Sequence, residues 1–371
     1  MKKIILILLI ITQVSCNTDD SNNDDSCVFE GDVTLTTQEE INTFILNDYC
    51  EINGDLIIGD LFLNDEINDL TGFIGLTKIN GRLRIVGNSV LTNLNGLQNI
   101  KEIEKSLLID RNNSLQNIDA LSELKTIGQD LAIAYNNSLN NINVFHNITS
   151  LGNVSIVNNP SISNLLGLNN LISVNSIEIK VNESLVTLEG LNSLVSTERY
   201  IVIRDNISLT TIQAFENLSV IGGDLGILNN PLLTSLHGLE GVSSLVGFEL
   251  FNNNSLESLS GLENVQFMRK LIIRNNNSLL SLSNLANLSS IGDNISGRIE
   301  ILSNNSLNSL VGLQNVESFI GNIWVTDNDS LVNLCNLQNI LANGVYDSVN
   351  IHSNNYNPSV EDIINGTNCS I

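Results

Sequence analysis

The stretch Leu225-Gly226-Ile227-Leu228-Asn229-Asn230-Pro231-Leu232-Leu233-Thr234-Ser235-Leu236-His237-Gly238-Leu239-Glu240-Gly241-Val242-Ser243-Ser244-Leu245 holds one complete copy of the pattern that builds this chain. Leu225-x-Ile227 has the two-residue period of a half-buried strand. Asn229-Asn230-Pro231 has the chemistry of a corner. Leu233, Leu236, Leu239, Val242 and Leu245 then return at a spacing of three and point one residue per short segment inward. One copy cannot bury so many aliphatic side chains alone, so copies must stack and share a continuous core.

The same pattern begins at Leu83, Leu107, Leu131, Val154, Ile177, Ile201, Leu225, Phe248, Leu271, Ile299, Ile323 and Val349, with a degenerate first copy at Leu56-Ile57-Ile58. Most steps are 23 or 24 residues; the longer ones hold an insertion near Asn294 to Gly297 and a stretch around Asn343 to Ser348. Strands stacked about 4.8 Å apart make a dozen copies a rod about 55–60 Å long. The expected fold is a repeat β-solenoid of about twelve 23–24-residue coils, with short strands, Asn-rich turns and capped ends.

Open end coils expose apolar core and unpaired strand edge, so both ends need caps. Thr37 and Glu40 form a capping-box pattern ahead of a short helix expected to reach Leu46, and Ser359 to Asn365 with Gly366 behind it has helix start and stop signals. Cys27 and Cys50 flank the first; Cys335 and Cys369 flank the second. Four cysteines allow three pairings, but bridged Cα atoms must lie within about 7 Å. At opposite ends of a rod, only Cys27 with Cys50 and Cys335 with Cys369 can join. Neither pair has the CxxC spacing or nearby His pair of a zinc site.

Cys50-Glu51-Ile52-Asn53-Gly54-Asp55-Leu56-x-Ile58 resembles the opening of the receptor L domain, known from the extracellular parts of insulin and epidermal growth factor receptors. Ile221-Gly222-Gly223-Asp224-Leu225-x-Ile227 and the Ser-Leu-x-x-Leu-x-Gly-Leu runs look like that domain's coils. The resemblance covers about residues 50 to 355 and implies a right-handed β-solenoid of the leucine-rich-repeat superfold. The chain differs in its roughly doubled coil number and its lack of a kinase, so receptor signalling is not carried over, and fold alone does not name a ligand.

Met1-Lys2-Lys3, the apolar run Ile4 to Ile11 and Val14-Ser15-Cys16 have the layout of a secretory signal, too short to span a bilayer. Val14-Ser15-Cys16 resembles the lipobox of bacterial lipoproteins, with Gln13 where that family usually has Leu. The resemblance implies acylation of Cys16 and anchoring without spanning, with plain secretion as the alternative. Residues 17–26 are Asn, Thr, Asp and Ser only and read as a solvated tether. An acidic run after a lipidated cysteine also resembles a signal for export to the outer face of the outer membrane. The expected divisions are a signal peptide over 1–15, lipidated Cys16 and tether over 16–26, a cap over 27–50, the solenoid over 51–355 and a second cap over 356–371. The expected location is the cell envelope.

The formal charge is −24, and −26 without Lys2 and Lys3. Nucleic acid and anionic lipid surfaces are bound through clustered Lys and Arg, so both are poor partners for such a chain. The charge favours solubility and loose cation association. The Gly-Gly-x-Gly-x-Asp nonapeptide of calcium-loaded β-rolls is absent, and no cofactor or metal is expected.

Asn113, Asn137, Asn159, Asn182, Asn206, Asn230, Asn254, Asn277, Asn305 and Asn328 form a column best read as backbone-satisfying corner residues rather than a binding ladder. The better binding candidates are the outward strand positions, which form two columns. One runs Arg84, Leu108, Ala132, Ser155, Glu178, Val202, Gly226, Glu249, Ile272, Glu300, Trp324; the other runs Val86, Asp110, Ala134, Val157, Lys180, Arg204, Leu228, Phe251, Arg274, Leu302, Thr326. Leu228, Phe251, Ile272, Leu302 and Trp324, with Arg204 and Arg274, make an aromatic, apolar and Arg mixture suited to contact with a protein or glycan. Glu249 and Glu300 share a column about 9–10 Å apart, near the separation used by inverting glycosidases, but Ile272 lies between them. His146, His237 and His352 fall on distant coils, so no triad forms from them. The sequence therefore points to a non-catalytic envelope binding or adhesion module. An inert structural envelope protein is the nearest alternative, and a polysaccharide-cleaving solenoid enzyme a more distant one.

Overall fold

The structure, a computed structural model, describes residues 27–61, 67–292 and 297–371. The expected signal peptide, Cys16, the tether to Ser26 and Asn294 of the insertion lie outside the described residues.

The strands pair in parallel with equivalent strands of adjacent copies. Val33–Leu35 pairs with Leu56–Ile58, that with Leu83–Val86, and the ladder continues through Leu107–Asp110 and Leu131–Ala134 to Ser318–Thr326 and Val345–His352. Leu83 faces Leu107, Leu131 faces Val154, and Leu225 faces Phe248, so each copy starts where its aliphatic-x-aliphatic signature does. Equivalent corner residues are 23 or 24 positions apart at most steps, 28 across the insertion and 26 at the last step. The first and last strands of this ladder each pair on one side only, so the sheet is open. It is a solenoid-like stack of parallel-stranded copies over a leucine-rich core.

Two features were not visible as periodicity. A second ladder runs beside the first, through Val28–Glu30, Glu51–Asn53, Lys78–Ile79, Glu102–Ile103 and Thr126–Ile127. Two residues are too few to show an alternation. From Ser150–Val157 onward several copies fuse both segments into one strand, as in Ser173–Lys180, which pairs with Ser196–Thr197 and with Ile201–Arg204. The cap expected over 27–50 also contains strands of its own, Val28–Glu30 and Val33–Leu35, already in register with the copy that follows.

The core is the Leu series. Leu233, Leu236, Leu239 and Val242 are fully buried and Leu245 nearly so, and the same positions are closed in copy after copy. Each buried Leu is worth about 2 kcal/mol relative to exposure. The Gly of Ser-Leu-x-x-Leu-x-Gly-Leu is fixed by backbone contact. Gly190 sits at φ 114°, and a Cβ there would lie 1.8 Å from the Leu165 carbonyl oxygen. In some copies, such as Gln213–Phe215 with Ala214 in place of the Gly, the same segment closes as a short 3-10 turn.

Each corner turns on a left-handed residue followed by a buried Asn. Tyr135, Asn158, Val181 and Asp205 have φ of 55°, 53°, 57° and 58°, and Asn136, Asn159, Asn182 and Asn206 come next, all fully buried. Asn136 Nδ2 donates to the Ile109 and Ala134 carbonyls at 2.9 Å, and its backbone N–H donates to Asn159 Oδ1 at 3.1 Å. Asn136 Oδ1 in turn accepts from Asn112 N–H at 3.0 Å. A continuous amide ladder thus satisfies buried corner groups that would otherwise be orphaned. The role expected of the Asn column holds, but half its membership does not. The buried members are Asn112, Asn136, Asn253, Asn276 and Asn304, where the sequence pattern points to Asn113, Asn137, Asn254, Asn277 and Asn305. In Asn-Asn pairs the letters are the same; only the left-handed residue ahead decides which one turns inward.

Both caps are bridged. Cys27–Cys50 and Cys335–Cys369 are disulfides with Cα separations of 5.2 and 5.0 Å. The front helix is Gln38–Phe44, followed by a 3-10 turn to Asn47. Thr37 Oγ1 accepts from Glu40 N–H at 3.1 Å as expected, but the Glu40 carboxylate reaches back to Thr36 N–H at 2.6 Å instead of to Thr37. Phe29, Phe44, Tyr49 and Phe73 cluster there with ring centroids 5.0–6.1 Å apart. At the back, Val360–Asn365 has a complete Ser359/Asp362 capping box and ends on left-handed Gly366. An unforeseen helix, Gln338–Asn343, precedes the last strand and accounts for part of that longer step.

Candidate functional site on the outward sheet face

Ladder strands alternate fully buried residues such as Ile201, Ile203, Leu225 and Ile227 with residues on the outward side. The register sets both expected columns side by side across the stack. Glu178 faces Val202, Val202 faces Gly226, Gly226 faces Glu249, Glu249 faces Ile272, Ile272 faces Glu300 and Glu300 faces Trp324. Lys180, Arg204, Leu228, Phe251, Arg274, Leu302 and Thr326 follow in the same order. A third column, Asp224, Gly247, Lys270, Arg298 and Asn322, lies one alternation earlier. Its members each lie one residue ahead of the aliphatic-x-aliphatic signature, where the repeat pattern does not reach.

A groove of about 630 Å³ opens on this face, within the range of small-ligand sites. Val202 and Gly226 form its floor, and Tyr200, Glu178, Lys180, Arg199 and Arg204 lie on one side. Asp224, Glu249, Arg269 and Lys270 lie on the other, with Leu228 and Val246 between. Gly226 gives the groove its depth: a Cβ there would already touch Leu228 Cδ1 at 3.0 Å. Tyr200 Oη donates to Glu178 Oε1 at 3.2 Å, and Lys180 Nζ reaches the same oxygen at 3.0 Å. Burial, then the neighbouring Glu178 charge, raises the Tyr200 phenol above its ordinary range, so it stays a donor. Lys270 Nζ lies 3.0 Å from Asp224 Oδ2, and Arg204 Nε 2.8 Å from Asp205 Oδ2.

A second depression of about 410 Å³ shares Glu249 and Lys270 with the first and extends to Ile272, Arg298 and Trp324. Beside it Glu300, 2% exposed, holds Arg274 and Arg298 in ion pairs, one on each carboxylate oxygen. Arg274 lies 5.3 Å from the Phe251 ring centroid and Arg298 5.0 Å from that of Trp324. The buried carboxylate thus fixes two guanidiniums, and each guanidinium covers an aromatic face. Burial and the Arg298 charge lower the Arg274 pKa from its ordinary value.

The residues singled out from sequence divide accordingly. Arg204 and Leu228 line the first groove, and Ile272 and Trp324 line the second depression. Phe251 and Arg274 stack on one another, while Leu302 follows them in the column without lining either hollow. Ile272 was expected as an exposed contact; between Glu249 and Glu300 it is 5% exposed and serves as floor. Glu300 is consumed by its two arginines, so Glu249 and Glu300 do not form a free carboxylate pair. His237 Nδ1 lies 2.8 Å from Glu240 Oε1 and His352 Nδ1 3.1 Å from Ser353 Oγ; neither lines these hollows.

Two signals in the sequence could have found the groove. Gly226 is a gap in an otherwise side-chain-bearing column. More tellingly, all seven Lys and Arg residues after Lys125, namely Lys180, Arg199, Arg204, Arg269, Lys270, Arg274 and Arg298, lie in or beside these hollows. Acidic residues are spread along the whole chain.

No family model and no curated protein sequence matches this chain. Among solved structures, the chain is similar to a crystal structure of a TLR13–ssRNA13 complex at 15% identity, with a TM-score of 0.26, covering 85% of this chain and 56% of that one. The chain thus spans little more than half the length of that protein. Among the described residues no helix is long and apolar enough to cross a membrane, and no group of three or more His, Cys, Asp or Glu could hold a metal ion.

Proposed function

We propose that this protein is a lipid-anchored, non-catalytic binding module of the cell envelope that contacts a protein or glycan through its outward sheet face. In this reading the body is a right-handed solenoid of about twelve coils akin to the receptor L domain, since parallel strands joined by crossovers favour that hand. Acylated Cys16 and the tether hold it at a membrane, with the outer membrane the proposed site.

The observation that carries the binding reading is the confinement of all seven later cations to one strip of a chain with net charge −24. Random surface charge would scatter them over all sides of each coil. The strip also holds the two hollows and the two Arg-covered aromatic rings, a composition suited to contact rather than to bare solvent.

The test is a binding screen of the full chain against envelope proteins, host matrix proteins and polysaccharides, beside a Phe251→Ala/Trp324→Ala variant. A hit weakened in the variant supports the reading; a hit untouched by changes anywhere on this face moves the site elsewhere. No hit in any class favours a purely architectural envelope protein. Fatty-acid labelling that persists in Cys16→Ser would remove the anchor from the account.

A further inference from the structure

We propose that the groove floored by Val202 and Gly226 takes an acidic saccharide, a chain of sugar rings bearing carboxylate or sulfate groups. This rests on the binding reading above and narrows it to one chemical class.

Five cations line the groove, Lys180, Arg199, Arg204, Arg269 and Lys270, in a chain whose overall charge would otherwise repel any anion. With Glu178, Glu198, Asp224 and Glu249 also in the lining, the five cations bring the groove close to charge balance in an otherwise strongly acidic chain, so an anion is not repelled there. Arg199 has no ion-pair partner among the described residues, so a ligand anion can meet its guanidinium without displacing a carboxylate. Arg favours this role because its planar fork matches carboxylate and sulfate oxygens.

The lining is nevertheless of mixed sign, and that selects among anions. Glu178, Glu198, Asp224 and Glu249 are interleaved with the cations. A polyphosphate backbone offers these carboxylates nothing but repulsion. A saccharide offers hydroxyl donors to them and acid groups to the cations, so it can satisfy both sets at once. The floor suits rings as well: Gly226 removes a side chain, and Val202, Leu228 and Val246 present small apolar surfaces to a ring's C–H face.

An extended acidic peptide is the less favoured occupant. Peptides that bind sheets gain affinity by adding a strand to a free edge. Here Ile201–Arg204 and Asp224–Leu228 are paired on both sides, so the face offers a peptide no backbone ladder.

The test titrates the full chain with oligogalacturonate, oligomannuronate and a heparin-derived oligosaccharide, each beside its methyl-esterified or desulfated counterpart. At least one acidic probe is expected to bind, its neutral counterpart to bind at least about ten-fold more weakly, and added salt to weaken the complex. Arg199→Ala and Gly226→Leu are each expected to weaken it about ten-fold or more, the first by removing a charged hydrogen bond and the second by filling the groove. Lys105→Ala, outside the groove, is the control and changes nothing. The proposal is overturned if no acidic probe binds at millimolar concentration, if charged and neutral probes bind alike, or if Gly226→Leu binds as well as the native chain. It is equally overturned if single-stranded RNA or poly-glutamate binds this groove in preference to every saccharide. Capture of a neutral glycan or a protein that is lost in Phe251→Ala/Trp324→Ala would sink the acidic-saccharide proposal and leave the broader binding reading intact.

Discussion

The corner of each coil and the outward face of each strand are built by the same repeat, a few residues apart, yet they obey opposite rules. At the corner the chemistry repeats: Asn182, Asn206 and Asn230 are buried amides with the same partners one coil apart. On the outward face, the neighbouring residues Glu178, Val202, Gly226 and Glu249 have nothing in common except their direction. Where stacking sets the requirement, each coil poses the same problem and one side chain solves it. Where stacking sets none, variation is free to record something else, and here it records a groove and a concentration of cations.

The largest expected break of that contrast is at the corner. Asn206→Ala removes the donor to the Ile179 carbonyl and the acceptor for Asn182 N–H, both buried. It should cost about 3 kcal/mol or more, read as a lowered denaturant midpoint, whereas Val202→Ser on the outward face should cost far less. Equal losses at the two positions would erase the distinction. Opening the Cys335–Cys369 bridge by Cys→Ser changes, which frees a loop spanning 34 residues, should cost about 3 kcal/mol and act on the last coils first. Hydrogen exchange that rises only there, and not across the stack, would confirm its role as a local cap.

A smaller effect is expected from the cluster around Glu300. Its carboxylate is buried, but the Arg274 and Arg298 side chains are 37% and 43% exposed, so solvent discounts their pairing. Glu300→Gln should cost about 1–2 kcal/mol in stability and should loosen Phe251 and Trp324, visible as altered tryptophan fluorescence. An unchanged spectrum would mean that the carboxylate does not hold the aromatic rings. The smallest effect has the opposite sign. Val181 occupies a left-handed corner at φ 57° that a β-branched residue resists, so Val181→Asn should stabilise the protein by about 1 kcal/mol.

This contrast also explains what could be read from sequence. Leu233 to Leu245 announce the core because each coil repeats them, and Leu83 or Phe248 mark strand starts that the pairings place in register. The corner was legible in kind but not in position: beside Asn253, Asn254 carries the same letter, and only the left-handed Asn252 ahead of them sets which amide is buried. Glu102–Ile103 and its neighbours were too short to show an alternation. The groove was hidden for a different reason. Its depth comes from an absent side chain at Gly226, and its charge from residues such as Arg199 and Lys270 that lie outside the two columns the pattern suggested. Ile272 reads as exposed in any alternation, but between Glu249 and Glu300 of the adjacent coils it is 5% exposed.

Whether ligands are taken on the outward face is decided by a paired measurement on Gly226→Leu, thermal stability beside ligand capture by the immobilised full chain. A Cβ at this position would lie 3.0 Å from the flexible end of Leu228, with Val202 Cγ2 at 3.8 Å and the Ile201 carbonyl oxygen at 3.9 Å, both ordinary contacts, so Leu228 alone has to move at the Cβ. A melting temperature close to that of the native chain is expected, together with loss of capture. Capture at native strength by a folded Gly226→Leu protein would contradict it and move the functional surface off this face of the stack.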